Sequence, residues 1–147
     1  MKVARVLEQV VRDRPGHVIV AGDLDAEPDA DSVRFWTGRH VLEDMSVCYR
    51  SAAEAVPPAR ETGPTSAPGA GGSIETYLPN NPLQVDLDWP FRAIDHVLVR
   101  CGPTGPTLLA RSCVRAFDTP ETIASDHYGL VVDYEVPERH EADGNDR

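Results

Sequence analysis

Lysine is all but missing from this chain: Lys2 stands alone beside thirteen arginines, and these fourteen bases face twenty-four acids for a formal net charge of −10. Without a basic excess there is no footprint for bulk duplex nucleic acid, whose binding rests on phosphate neutralisation. Nucleic acid is therefore disfavoured as a partner. A phosphodiester substrate is not excluded, because acids gathered around a cation lower net charge while serving phosphate chemistry. Cysteine is scarce as well. Cys48, Cys101 and Cys113 are odd in number and widely spaced, with no CxxC pair and no histidines at zinc-finger spacing, so reduced, structural thiols are expected. Long apolar runs are also lacking. In MKVARVLEQVVRDRPG a charge interrupts every few residues, which leaves no secretory signal or membrane span and makes a cytoplasmic chain the expectation. There is no GxSxG elbow, GxxxxGK[ST] loop, HExxH or strand-borne GxGxxG. An EF-hand begun at Asp23 fails on spacing, with Pro28 in the glycine position and Arg34 where the bidentate glutamate belongs.

What remains is 147 residues at 41% hydrophobic, enough for one core and not for two. The sequence predicts one domain over 1–136 and a polar, frayed tail over 137–147. Val3, Val6, Leu7, Val10 and Val11 recur at i, i+3, i+4, i+7 and i+8, the stripe of an amphipathic helix that Pro15-Gly16 would end. His17 to Gly22 is a short, continuously apolar run, expected to be a strand buried on both faces. The acidic loop 23–31 follows, then a short helix over 32–37 with Asp29 or Asp31 as its N-cap. Ser46 to Arg50 reads as a brief strand or turn. Residues 51–82 are rich in Ala, Pro, Gly and Ser without period, and are expected to be a flexible loop inside the domain. Strands are predicted over 93–100, 107–117 and 128–136, and the turn cluster Gly102 to Pro106 suggests that the first two pair as a hairpin. Trp36 and Trp89 are expected as core or loop anchors.

Three short motifs carry chemistry. Gly22-Asp23-Leu24-Asp25 closes a strand at the end where α/β proteins expose ligand-binding side chains, although an isolated GDxD is more often an Asp-rich capping loop. Asp95 stands in an otherwise apolar strand, where a carboxylate needs a partner or a metal; the plainer alternative is a strand-mouth position, solvated or paired with Arg92. Ser125-Asp126-His127 puts an imidazole beside an acid just before the last strand, which suits acid/base or metal chemistry, or a surface turn. His96 adjoins Asp95 but on a strand points to the opposite face.

In order, GDLDAEP at 22–28, RAIDH at 92–96 and SDH at 125–127 resemble the successive C-terminal motifs of the endonuclease/exonuclease/phosphatase superfamily. The resemblance spans residues 1 to 136, with 51–82 its least informative part. It implies an α/β fold: a portion of a two-sheet sandwich flanked by helices in αββα layers, without its N-terminal half. It implies a metal-dependent phosphoester hydrolase (a nuclease, phosphodiesterase or phosphatase) using Mg²⁺ or Mn²⁺ on a phosphate-ester substrate. By motif, Asp23 resembles the acid that orients or deprotonates the attacking water. His127 resembles the histidine on the scissile phosphate, and Asp95 the carboxylate that fixes its ring. Asp126 resembles a metal-site carboxylate, with Asp25 a further candidate metal ligand, and Arg92 adds a phosphate contact. Asp25 stands where the family has asparagine, and His96 where it has tyrosine. The family's N-terminal half supplies a metal-binding glutamate, an asparagine and a further histidine that this chain lacks, so weak metal binding is expected. The alternative implied is a truncated, non-catalytic or partner-dependent fragment that associates through an uncovered sheet face.

Overall fold

A computed structural model describes residues 1–56, 73–85 and 92–138. Its elements run α1 (Lys2–Asp13), β1 (Ile19–Asp23), α2 (Asp31–Trp36), β2 (Tyr49–Ser51), α3 (Ala52–Ala55), β3 (Asp95–Gly102), β4 (Gly105–Pro106), β5 (Leu109–Ala116) and β6 (Gly129–Glu135). They form two antiparallel sheets, one ordered β1-β3-β2 with β4 also on β3, the other the β5-β6 pair. The mixed α/β, two-sheet class expected from the sequence is the one observed.

The alternation of β3 divides its side chains between two layers. Leu98 and Arg100 face the helices. Leu98 is fully buried and joins Ala4, Phe35, Val47 and Tyr49 in the core cluster, with Trp36 packed against it. Trp36 meets Tyr49 edge to face at 5.0 Å between ring centroids, the anchoring role expected of it. Trp89 and residues 139–147 of the expected tail lie outside the described residues. The other face of β3 turns toward the second sheet, where Val97 shares a small cavity with Cys113 of β5 and Leu130 of β6.

Helix α1 forms where its periodicity predicts, but it does not bury the valine stripe. Val3, Val6 and Val10 remain 61%, 60% and 50% exposed. The sheet is met instead by Ala4, which is fully buried, and by Glu8, which accepts two short hydrogen bonds from the Arg100 guanidinium at 2.9 and 2.7 Å. The small Ala4 side chain permits close approach. The Tyr49 phenol, pushed up to about 12 by burial and by Glu8, stays protonated and donates to the same carboxylate at 3.3 Å.

Other expectations are corrected. β1 is not buried on both faces: among the described residues it pairs only with β3, and Ile19, Ala21, Gly22 and Asp23 are exposed. Helix α2 starts at Asp31 with Ala30 at its N-cap and no side-chain cap; Asp31 sits in the first turn, where the helix dipole favours an acid. The 93–100 and 107–117 strands do not form a hairpin. β3 turns into the two-residue β4, with Cys101 opposite Pro106 and Gly102 opposite Gly105, and the chain then crosses to pair β5 with β6. The turn signal was real, and Thr107 N–H still donates to the Arg100 carbonyl at 3.0 Å. From there, however, β1 occupies that side of β3, with Arg100 N–H donating to the Val18 carbonyl. Within the expected loop 51–82, Ser51 ends β2, α3 follows, and 73–82 is tied by backbone hydrogen bonds to Arg92 and Tyr128. Residues 57–72 lie outside the described residues.

Candidate functional site

The register of β1 and β3 sets Asp23 directly opposite Asp95. Leu24 N–H donates to the Ile94 carbonyl one step further on, so Asp23 and Asp95 form a non-hydrogen-bonded pair, the closer kind, with Cα atoms about 4.5 Å apart and side chains on one face. Asp23 ends its strand and Asp95 begins the next. Two carboxylates thus share one sheet edge.

Arg92 meets Asp25 and Glu27, whereas Asp95 is largely sheltered from solvent and has Thr76 and His127 as its partners. Its Oδ2 accepts a hydrogen bond from Thr76 Oγ1 at 2.6 Å and another from His127 Nδ1 at 2.8 Å. With Nδ1 donating to the carboxylate, Nε2 is the ring nitrogen left for a substrate. The side chains of His127 and Asp95 are 23% and 20% exposed, sheltered yet reachable. Tyr77 leans on the imidazole, ring centroids 5.0 Å apart, and restricts its rotation. The loop before β6 is held in turn by buried Asn81, whose Nδ2 donates to the Ser125 carbonyl at 3.0 Å, and by Tyr128 N–H to the Thr76 carbonyl at 2.8 Å.

The acidic loop after β1 is built by its own side chains. Asp25 N–H donates to Asp23 Oδ1 at 2.7 Å, and Asp25 takes a left-handed φ of 44°, a conformation Asp tolerates better than most residues. Arg92 then bridges the loop: its guanidinium lies 3.1 Å from Asp25 and 3.6 Å from Glu27. The negative charge that Asp25 introduces is therefore met by Arg92. His96 is buried on the opposite face from Asp95, as expected, and donates from Nε2 to the Ala26 carbonyl at 2.7 Å. It braces the loop from behind.

Asp23, Asp95 and His127 are thus brought to one edge. Asp126 is exposed and accepts from Ser125 Oγ at 3.1 Å. Among the described residues no group of three His, Cys, Asp or Glu side chains is placed to hold a metal ion. Hard cations need several oxygen ligands, so these residues alone do not fit the Mg²⁺ or Mn²⁺ that the motifs imply. Sequence reasoning missed Glu27, Thr76, Tyr77 and Asn81. Glu27 lies inside a motif already noted; the other three sit in an aperiodic segment whose composition carries no signal.

No family model matches the chain, and no curated protein matches it. A crystal structure of an endonuclease/exonuclease/phosphatase from Bacteroides vulgatus is similar, with a TM-score of 0.57 at 18% identity over 91% of this chain. This chain spans 42% of the length of that protein. The two share a fold. Among the described residues no helix is long and apolar enough to cross a membrane.

Proposed function

We propose that this chain carries the acid/base part of a metal-dependent phosphoester hydrolase site. The observation that supports it best is the Asp95–His127 hydrogen bond at the edge where Asp23 also stands. In this reading Asp95 orients the ring, and His127 Nε2 contacts the phosphoryl oxygen or moves a proton to or from it. Asp23 orients the attacking water. An aligned imidazole stabilises charge that develops on the phosphoryl oxygens, and it does so best in a partly sheltered site. Mg²⁺ or Mn²⁺ would require carboxylates beyond those now described, with Asp126 as one contributor. Arg92, spent on Asp25 and Glu27, would reach phosphate only by exchanging those partners.

A second reading is favoured by the incomplete cation set and by the unpaired edge of β1 among the described residues. In it, a polypeptide carrying the rest of the sandwich adds to β1 and completes the site. Both readings are tested by hydrolysis of a bis-aryl phosphodiester and an aryl phosphomonoester, with Mg²⁺ and with chelator, by the 147-residue chain and by the chain supplied with that completing polypeptide. Chelator-sensitive turnover that falls more than about tenfold in His127→Ala supports the first reading, and turnover indifferent to His127→Ala sinks it. Robust turnover by the chain alone sinks the second.

A further inference from the structure

Two cysteines that the site does not use face each other across the first sheet. The β2–β3 register pairs Tyr49 with Arg100, Arg50 with Val99 and Ser51 with Leu98, so one step back sets Cys48 opposite Cys101. The Cys101 N–H donates to the Cys48 carbonyl at 2.8 Å, which carries the ladder to that pair. Opposed residues of an antiparallel ladder project to the same face, and a hydrogen-bonded pair has its Cα atoms about 5.5 Å apart. That Cα separation lies within the roughly 4.4–6.8 Å that a disulfide spans. Opposed Cβ atoms of a hydrogen-bonded pair sit about 5.5 Å apart and must draw in to the roughly 3.5–4.5 Å of a bridge, which strains the bond and makes it more reducible. Cys48 is exposed, Cys101 is partly buried, and the neighbouring Cys48 thiol contributes to the raised pKa of Cys101. Cys113, by contrast, lies in β5 of the other sheet, opposite Val132.

We propose that Cys48 and Cys101 form a reversible cross-strand disulfide, a redox-modified site at the end of β3 remote from Asp95. Asp95 and Cys101 are six residues apart on one strand, about 20 Å at strand rise, so the modification leaves the Asp95–His127 pair untouched. The oxidant is a low-molecular-weight disulfide such as oxidised glutathione. The exposed Cys48 thiolate attacks one of its sulfurs, the S–S bond breaks, and the first thiol leaves with the proton that Cys48 lost. Cys101 then gives up its proton and attacks the Cys48 sulfur, expelling the second thiol. Two protein thiols are oxidised, one disulfide is reduced to two thiols, and the protons leave with them. Exposure of Cys48 keeps the product open to reduction by the reverse route, so it acts as a labile bond and not a permanent staple.

The order of steps has its own signature. The Cys101 thiol is pushed up to about 11, first by burial and then by its contact with Cys48. Only thiolate attacks, so the resolving step quickens about tenfold per pH unit in the neutral range. A mixed disulfide formed on Cys48 and freed of excess oxidant therefore closes to the bridge far faster near pH 9 than near pH 6.

Trypsin separates the three cysteines, into peptides 40–50, 101–111 and 112–115. The chain is treated with excess oxidised glutathione, quenched in acid, and read by intact mass and non-reducing peptide mapping. The expected product has lost two hydrogens and links 40–50 to 101–111, in the wild type and in Cys113→Ser alike. In Cys101→Ser the single glutathione adduct on Cys48 should persist at both pH values. The wild-type map needs no variant to fold. A Cys48 adduct that never resolves at alkaline pH, a bridge that includes Cys113, or disulfides only between chains would each overturn the proposal.

Discussion

Thr76 shows what one side chain contributes to the site. It is fully buried, and its hydroxyl donates to Asp95 at 2.6 Å on the same oxygen that receives His127. Thr76→Val keeps the shape but removes the donor, and hydrogen bonds to charged groups contribute about 1.5–3 kcal/mol. Urea unfolding should show a loss of that order. Glu8 offers a pH test at the same scale. Its carboxyl is held below its ordinary value of 4.5 chiefly by the Arg100 hydrogen bond, with burial opposing. A depressed carboxylate pKa stabilises the fold above the unfolded value, and that stability is lost as pH falls through the folded value. Glu8→Gln should therefore unfold more readily at pH 7, by about 1 kcal/mol for a partly exposed pair, and the gap from wild type should close below pH 4.5. A gap that widens on acidification would contradict the pairing.

At the scale of the element, α1 separates periodicity from packing. Its valine stripe was legible because apolar residues at helical spacing announce a helix. Which face the sheet would take was not, because that depends on Tyr49, Leu98 and Arg100, which are distant in sequence. Ala4→Leu should overpack the contact and cost about 1–3 kcal/mol, whereas Val6→Lys, on the exposed side, should stay within about 0.5 kcal/mol. Thermal or urea midpoints decide between this orientation and one that buries the valines. The failed hairpin teaches the same lesson at β4. Gly102 to Pro106 marks a reversal correctly, but the partner of β5 is β6, chosen by a seven-pair register that no local signal encodes.

For the whole molecule, the uncovered surfaces matter most. Val114 and Val131 are opposite each other on the β5-β6 pair and about half exposed, and β1 offers backbone donors and acceptors along an edge unpaired among the described residues. Apolar sheet faces and bare edges favour association. Sedimentation velocity of the chain should show mass rising with concentration, and Val131→Lys should shift the distribution toward monomer. A strictly monomeric wild type over the accessible concentration range would count against an uncovered face of this kind.

Some of this was settled by sequence alone. The strand end that carries Asp23, the position of His127 just before the last strand and the α/β class follow from local periodicity and turn residues, which act over a few residues. The order of the motifs gained its meaning from the family they resemble, and the start of β3 at Asp95 came only with the structure. The placement of Asp95 against His127, the bridging of Asp25 and Glu27 by Arg92, and the recruitment of Thr76, Tyr77 and Asn81 from an aperiodic segment are decisions of the tertiary structure. So is the placement of Cys48 opposite Cys101, which depends on a β2–β3 register joining residues about fifty positions apart. Such contacts form because hydrogen-bond ladders and a shared core bring remote segments into register, and no pattern within one segment specifies its partner.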